Sequence, residues 1–166
     1  MLAIRSPGAI ILGSAALALA ACGGTASTGT GPAASSSSTP LVQTASIQVA
    51  GKSQTVLKNS KGLTLYYFKP DTAAAASCTG GCASNWPPLL SPSGVPTSSP
   101  TLPGVLSVLN GPNGNQVLYN GHPLYTYIKD GDMADAYGQG VGGKWFVATP
   151  DLAASAAASS GYSANY

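Results

Sequence analysis

The sequence predicts an all-β fold in which two tandem β-meander repeats pack into a single domain. Three observations carry that reading. Gly62, Leu65, Tyr66, Phe68, Asp71 and Trp86 recur as Gly121, Leu124, Tyr125, Tyr127, Asp130 and Trp145, every pair 59 residues apart. Around these positions lie short runs of β-branched and aromatic residues broken by Gly, Asn and Pro, the pattern of strands joined by tight turns. Ten of the twelve aromatic residues fall between Tyr66 and Phe146. A unit of about 50 residues buries too little surface to be stable alone, so the two repeats are expected to share one aromatic core.

Residues 1–21 have the composition of an export signal. Arg5 supplies the positive charge, Ala9 to Leu19 a short apolar run, and Leu19-Ala20-Ala21-Cys22 reads as a lipid-attachment site. The apolar run is shorter than the ~20 residues of a membrane-spanning helix. A diacylglyceryl group on the Cys22 sulfur would supply the two hydrophobic chains that stable anchoring needs. Residues 22–45 follow as a Gly-, Ser-, Thr- and Ala-rich tether with too little apolar surface to offset its ordering entropy.

The two-repeat domain is expected over 46–150. In repeat one (about 46–94) strands are predicted at Ser46–Ala50, Thr55–Asn59 and Leu63–Phe68. In repeat two (about 104–150) they are predicted at Val105–Leu109, Gln116–Tyr119 and Leu124–Ile128. Asn113-Gly114 and Asn120-Gly121 are hairpin turns, because both residue types tolerate positive φ. Each meander leads through a loop into a Trp-bearing segment, Asn85–Leu90 or Lys144–Ala148, and the Ser- and Pro-rich stretch Ser91–Pro103 connects the repeats. Residues 151–166 form an Ala- and Ser-rich tail in which a short helix at Leu152–Ala158 competes with fraying.

On a strand, residues two apart share a face. Tyr66 therefore shares a face with Phe68, and Tyr125 with Tyr127. Each Asp, Asp71 or Asp130, falls just past its strand end, where a carboxylate accepts hydrogen bonds from loop amides. The repeated Tyr-x-(aromatic)-x-x-Asp resembles the motif of a family of bacterial secreted-repeat lipoproteins that carry it in tandem copies. Ser77-Cys78-x-Gly80-x-Cys82-Ala83-x-x-Trp86-Pro87-Pro88-Leu89 and Gly138-x-Gly140-x-Gly142-Gly143-x-Trp145-Phe146-x-x-x-Pro150 are similar to the tails that follow it. The resemblance spans about 52–150. It implies export, lipidation and a two-repeat architecture, and no catalytic residue, cofactor or substrate.

Cys78 and Cys82 are the cysteines left once Cys22 is acylated. Outside the cytoplasmic membrane thiols tend to be oxidised, and Thr79-Gly80-Gly81 lets the chain turn tightly, so a disulfide is the leading reading. Copper(I) held by Cys78, Cys82 and Met133 or His122 is the sharper alternative, and a labile redox bridge is another. Two Cys and one His are too few for structural zinc without carboxylates. His122, in the Asn120–Pro123 turn, is read as a solvated loop residue. Asp130, Asp132 and Asp135 offer oxygen ligands for calcium, though not at EF-hand spacing. Asp71 and Asp130 form a candidate pair for glycoside hydrolysis, which a duplicated turn residue explains more simply.

The segment after Cys22 holds six Lys, no Arg, five Asp and no Glu. Without a basic stripe it offers nucleic acid no electrostatic footprint. No metal or cofactor is called for by the residue pattern. The functional expectation is a membrane-anchored extracytoplasmic, non-enzymatic binding or envelope-interaction module. A redox or copper-handling partner using Cys78 and Cys82 is the rival, and an envelope hydrolase using the loop aspartates the weaker one.

Overall fold

The computed structural model describes residues 39–92 and 94–155. The export signal, Cys22 and the tether up to residue 38 lie outside them, as does the tail from residue 156. The described chain is almost entirely β. Its strands are β1 (Val42–Val49), β2 (Lys52–Asn59), β3 (Tyr66–Phe68), β4 (Ser98–Ser99), β5 (Leu106–Gly111), β6 (Gly114–Tyr119), β7 (His122–Tyr125) and β8 (Trp145–Val147). A single helical turn, α1 (Gly81–Asn85), and a 3-10 turn at Val141–Gly143 complete the set. One sheet runs β2-β1-β4 and the other β5-β6-β7-β3-β8.

The hairpins follow from local chemistry. β6 and β7 close over Asn120 and Gly121, at φ 49° and 78°, the left-handed pair that a two-residue hairpin demands. β1 and β2 close the same way over Ala50 and Gly51, at φ 49° and 79°. Repeat one is a meander only in part. After Asn59 its chain takes a turn one residue longer than that at Tyr119–His122, held by Asn59 Oδ1 accepting from the amides of Lys61 and Leu63 at 3.0 Å each. β3 then leaves the first sheet and pairs with β7 and β8 in the second.

The boundaries differ from the sequence reading at both ends. The tether was expected to run to residue 45, yet β1 begins at Val42, which is fully buried and pairs with Asn59 and Ser98. The amides of Leu41 and Val42 both donate to Thr97 O. Val42 and Thr44 are a weak local signal, and pairing with β2 and β4 extends the strand to them. The connector is also more than a spacer, since β4 within it adds a parallel strand beside β1. At the other end, residues assigned to the tail fold back. The Ser155 amide donates to Asn120 O at 2.9 Å and Asn120 Nδ2 donates to Leu152 O at 2.7 Å. Leu152–Ser155 are irregular rather than helical, because they are held by the Asn120–Gly121 turn.

Two clusters form the core. Val42, Leu57, Leu65, Leu89, Val117, Tyr119, Leu124 and Ala148 make the first. The second gathers Tyr66, Trp86, Tyr125 and Trp145 with Val49, Val56, Cys78 and Val147.

Candidate functional site

The repeated motif converges on the second cluster, and there the repeats cross. Tyr66 donates its hydroxyl to Asp130 Oδ2 at 2.6 Å, and Tyr125 donates to Asp71 Oδ2 at 2.6 Å. Each phenol thus binds the carboxylate of the other repeat. The second oxygen of each carboxylate takes its own following loop. Asp71 Oδ1 accepts from the Ser77 amide at 2.7 Å and from its hydroxyl at 2.6 Å, and Asp130 Oδ1 accepts from the Tyr137 amide at 3.0 Å.

The backbone crosses too. Lys69 N donates to Lys144 O and Ala148 N to Leu65 O, so the Trp segment of repeat two pairs with the motif strand of repeat one. In the mirrored arrangement Ile128 N donates to Asn85 O and Leu89 N to Leu124 O. Every one of these residues meets its counterpart at the 59-residue offset. Neither repeat closes its own sheet, which removes the reading of two independent domains.

Between the crossed strands the two indoles stack face to face, with centroids 3.8 Å apart and planes at 1°. Phe68 stacks on the outer face of Trp145 at 4.4 Å and Tyr127 on that of Trp86 at 4.1 Å. Tyr66 and Tyr125 meet the indoles edge-on at 5.5 and 5.1 Å, a geometry that sets a positive ring edge against a negative face. The result is a four-ring column, Phe68–Trp145–Trp86–Tyr127, whose outer rings are mates at the 59-residue offset, as are its inner rings.

Burial sets the electrostatics. It pushes the Tyr66 and Tyr125 phenols well above the usual phenol range, and the hydrogen bonds to Asp130 and Asp71 add to the shift. The Asp130 carboxyl is raised by burial, against the lowering effects of the Tyr66 hydroxyl and the Tyr137 amide. A buried lysine faces the same loop: Lys58 Nζ donates to Thr64 Oγ1 at 2.7 Å and to Met133 O at 2.9 Å. Burial lowers its pKa, while Asp130, Asp132 and Asp135 pull the other way. Nothing in the sequence reading singled out Lys58. A lone Lys in a run of β-branched residues looks like the exposed face of a strand.

Cys78 and Cys82 are joined by a disulfide, their Cα atoms 5.2 Å apart, with Cys78 buried against the indole cluster. The aspartates of the Asp130–Asp135 loop organise their own turn. Asp135 Oδ2 accepts from the amides of Gly131 and Asp132, and Asp132 Oδ1 from that of Ala134. These backbone donors hold the Asp135 carboxyl below its usual range. Among the described residues no group of three or more His, Cys, Asp or Glu side chains is placed to hold a metal ion. His122 is not the solvated residue the sequence suggested. It packs 5.0 Å from the Tyr67 ring, its Nε2 lies 3.0 Å from Ala153 O, and burial lowers its pKa. The folded-back segment at 151–155 covers it.

The repeats also differ in what covers their equivalent turns. Over the turn of repeat one, Met133 lies so close that a Cβ on Gly62 would meet its Cγ and Sδ at 2.6 Å. The counterpart of Gly62 is Gly121. Leu118 stands where repeat one has Lys58, and the first loop presents Ala73. Here an apolar cleft of about 310 Å³ stays open, lined by Ala73, Val105, Val108, Leu118, Gly121 and Ala154 among others.

A pair of interlocked repeats joined by crossed Tyr–Asp bonds and an indole stack defines the class. A family model described as a secreted repeat of unknown function matches residues 47–90 and 107–149. The chain belongs to that family. The first matched copy is one residue longer than the second, as the longer turn after Asn59 requires. A search of curated proteins and a search of solved structures each found no match. Among the described residues no helix is long and apolar enough to cross a membrane.

Proposed function

We propose that the chain is a lipid-anchored, extracytoplasmic, non-enzymatic binding module. The observation that carries the non-enzymatic part is how the motif's polar groups are used. Asp71 and Asp130 are each only 6% exposed, and every carboxylate oxygen already accepts from a phenol or a loop. A general acid or nucleophile needs to reach a substrate. These carboxylates face each other's repeats instead, so the motif reads as the joint that makes a rigid unit. What remains for recognition is the unequal part of the molecule, the open cleft of repeat two and the strand beside it.

The anchor rests on Leu19-Ala20-Ala21-Cys22 behind a short apolar run, with membership of a secreted family as support. Cys22→Ala should move the protein out of the membrane fraction, because no other hydrophobic attachment is proposed. Wild type recovered wholly in the soluble fraction contradicts the anchor.

A further inference from the structure

We infer that β5 is a docking edge for a second copy of this chain, the two β5 strands pairing antiparallel about a twofold axis at Val108. The inference rests on the reading of the protein as a membrane-anchored binding module and names its partner.

β5 ends the five-stranded sheet. Its register with β6 runs from Leu106↔Tyr119 to Gly111↔Gly114, and the Asn120 amide donates to Val105 O beyond it. In an antiparallel ladder the hydrogen-bonded pairs alternate. Val105, Ser107 and Leu109 therefore direct their backbone groups at β6, while Leu106, Val108 and Asn110 direct theirs outward. Among the described residues none of these three N–H or C=O groups has a hydrogen-bond partner. Exposed edges are normally guarded by charge, proline or a bulge, because they template pairing with another chain. Leu106–Gly111 has none of these devices.

The lack of charge extends well beyond the strand. From Thr72 to Ile128 the sequence contains no Lys, Arg, Asp or Glu. A twofold contact sets each surface against its own copy, so any charge near the axis meets its like. This surface meets itself without repulsion, which favours a second copy over a partner chosen by charge. Clefts flank the strand on both sides. One is the 310 Å³ cleft, and the other, of about 370 Å³, is lined by Val95, Leu106, Val108 and Asn110 among others. Val95 and Val105 stand 76% and 69% exposed beside them.

The outward groups fix the register. Pairing Leu106 with Asn110 of the second copy, and Val108 with itself, brings all three outward residues of each strand into hydrogen-bonded pairs. Any other register leaves some of them unpaired. One strand pair is a small interface, so association in dilute solution is weak. Confinement to a membrane surface raises the effective concentration and favours the pair.

The test uses the full chain in its own membranes, carrying Val108→Cys and treated with a short bis-maleimide. Gln54→Cys, on the exposed outer part of β2, is the control. A homodimer band at Val108→Cys that is absent at Gln54→Cys is expected. Adding Leu106→Lys and Asn110→Lys should abolish it, since that register opposes lysine to lysine. Circular dichroism of the lysine variant checks that it is folded, and if it is not, Ser107→Lys replaces it. No dimer band from correctly fractionated membranes overturns the second-copy inference. So does a cross-link to a different protein. Fractionation of the same samples reads the anchor separately: if the chain is soluble, the anchor fails and sedimentation at high concentration then decides the dimer.

Discussion

Replacing Gly138 by alanine adds one methyl group where the two repeats meet. The new Cβ would lie 2.7 Å from Cε1 and Cζ of Tyr66 and 2.9 Å from Cη2 of Trp86. Ordinary contact begins near 3.4 Å, so both rings would have to retreat by about 0.5–0.7 Å, and interiors at crystal-like density give way poorly. Neither ring is free to move. Trp86 is backed by Trp145 at 3.8 Å. Tyr66 is held by its 2.6 Å bond to Asp130, and its oxygen accepts from the Gly138 amide at 3.2 Å. Overpacking of this kind costs about 1–3 kcal/mol, and two pinned rings place it at the top of that range. A gain of about 0.4–1 kcal/mol from a stiffer unfolded chain offsets part of it. The net expectation is a loss of about 2–3 kcal/mol, or a urea midpoint lower by about 1–2 M at a typical slope. Gly140→Ala is the control: that glycine has φ 77° but nothing within 4 Å of an added Cβ. Only the left-handed backbone cost of about 1–2 kcal/mol applies there. Urea melts followed by near-ultraviolet circular dichroism would show a weakened indole-pair signal in folded Gly138→Ala alone. An unchanged signal and a midpoint no lower than that of Gly140→Ala would refute the packing argument.

Stability should fall at alkaline pH. The folded Tyr66 and Tyr125 phenols are raised, so above about pH 10 the unfolded chain loses protons that the folded chain keeps, and each tyrosine removes about 1.4 kcal/mol per pH unit. Lys58, lowered by burial, acts oppositely up to its unfolded value of 10.5 and then stops. Melts at pH 8, 10 and 11.5 check this, and a midpoint constant across them contradicts it. Reduction of the Cys78–Cys82 bridge should add two hydrogens to the intact mass. Its loss in Cys82→Ser should cost about 2 kcal/mol, as expected for so short a closed loop. A variant as stable as wild type would show that the bridge does not hold the α1 loop.

The repeat was legible because duplication leaves residues at one offset, and the strand and turn chemistry around Asn120-Gly121 is local. The crossing was not legible. Residues at positions 66 and 125 are alike, as are 71 and 130, and likeness does not say which Tyr meets which Asp. The strand before Ser46 was hidden because Val42 and Thr44 are a short signal at the end of a Ser- and Ala-rich stretch, and the strand is fixed by partners at Asn59 and Ser98. His122 looked exposed in its turn because the segment that covers it, at 151–155, is Ala-rich and carries no periodicity. Gly138 stood in a glycine-rich stretch where nothing marked it apart from Gly140. Its role comes from two rings more than fifty residues away.

The central claim is that the repeats complete each other, and paired double-mutant cycles test it most directly. Asp71→Ala with Tyr125→Phe spans the observed 2.6 Å bond, and Asp71→Ala with Tyr66→Phe spans the pair within one repeat. Asp71→Ala alone leaves the buried Tyr125 hydroxyl without its acceptor, a penalty of about 1–3 kcal/mol that Tyr125→Phe then removes. Urea denaturation should give a coupling of about 1–2 kcal/mol for the crossed pair, and near-additivity within about 0.5 kcal/mol for the pair within one repeat. Coupling between Asp71 and Tyr66 that equals or exceeds that between Asp71 and Tyr125 would contradict the crossed joint.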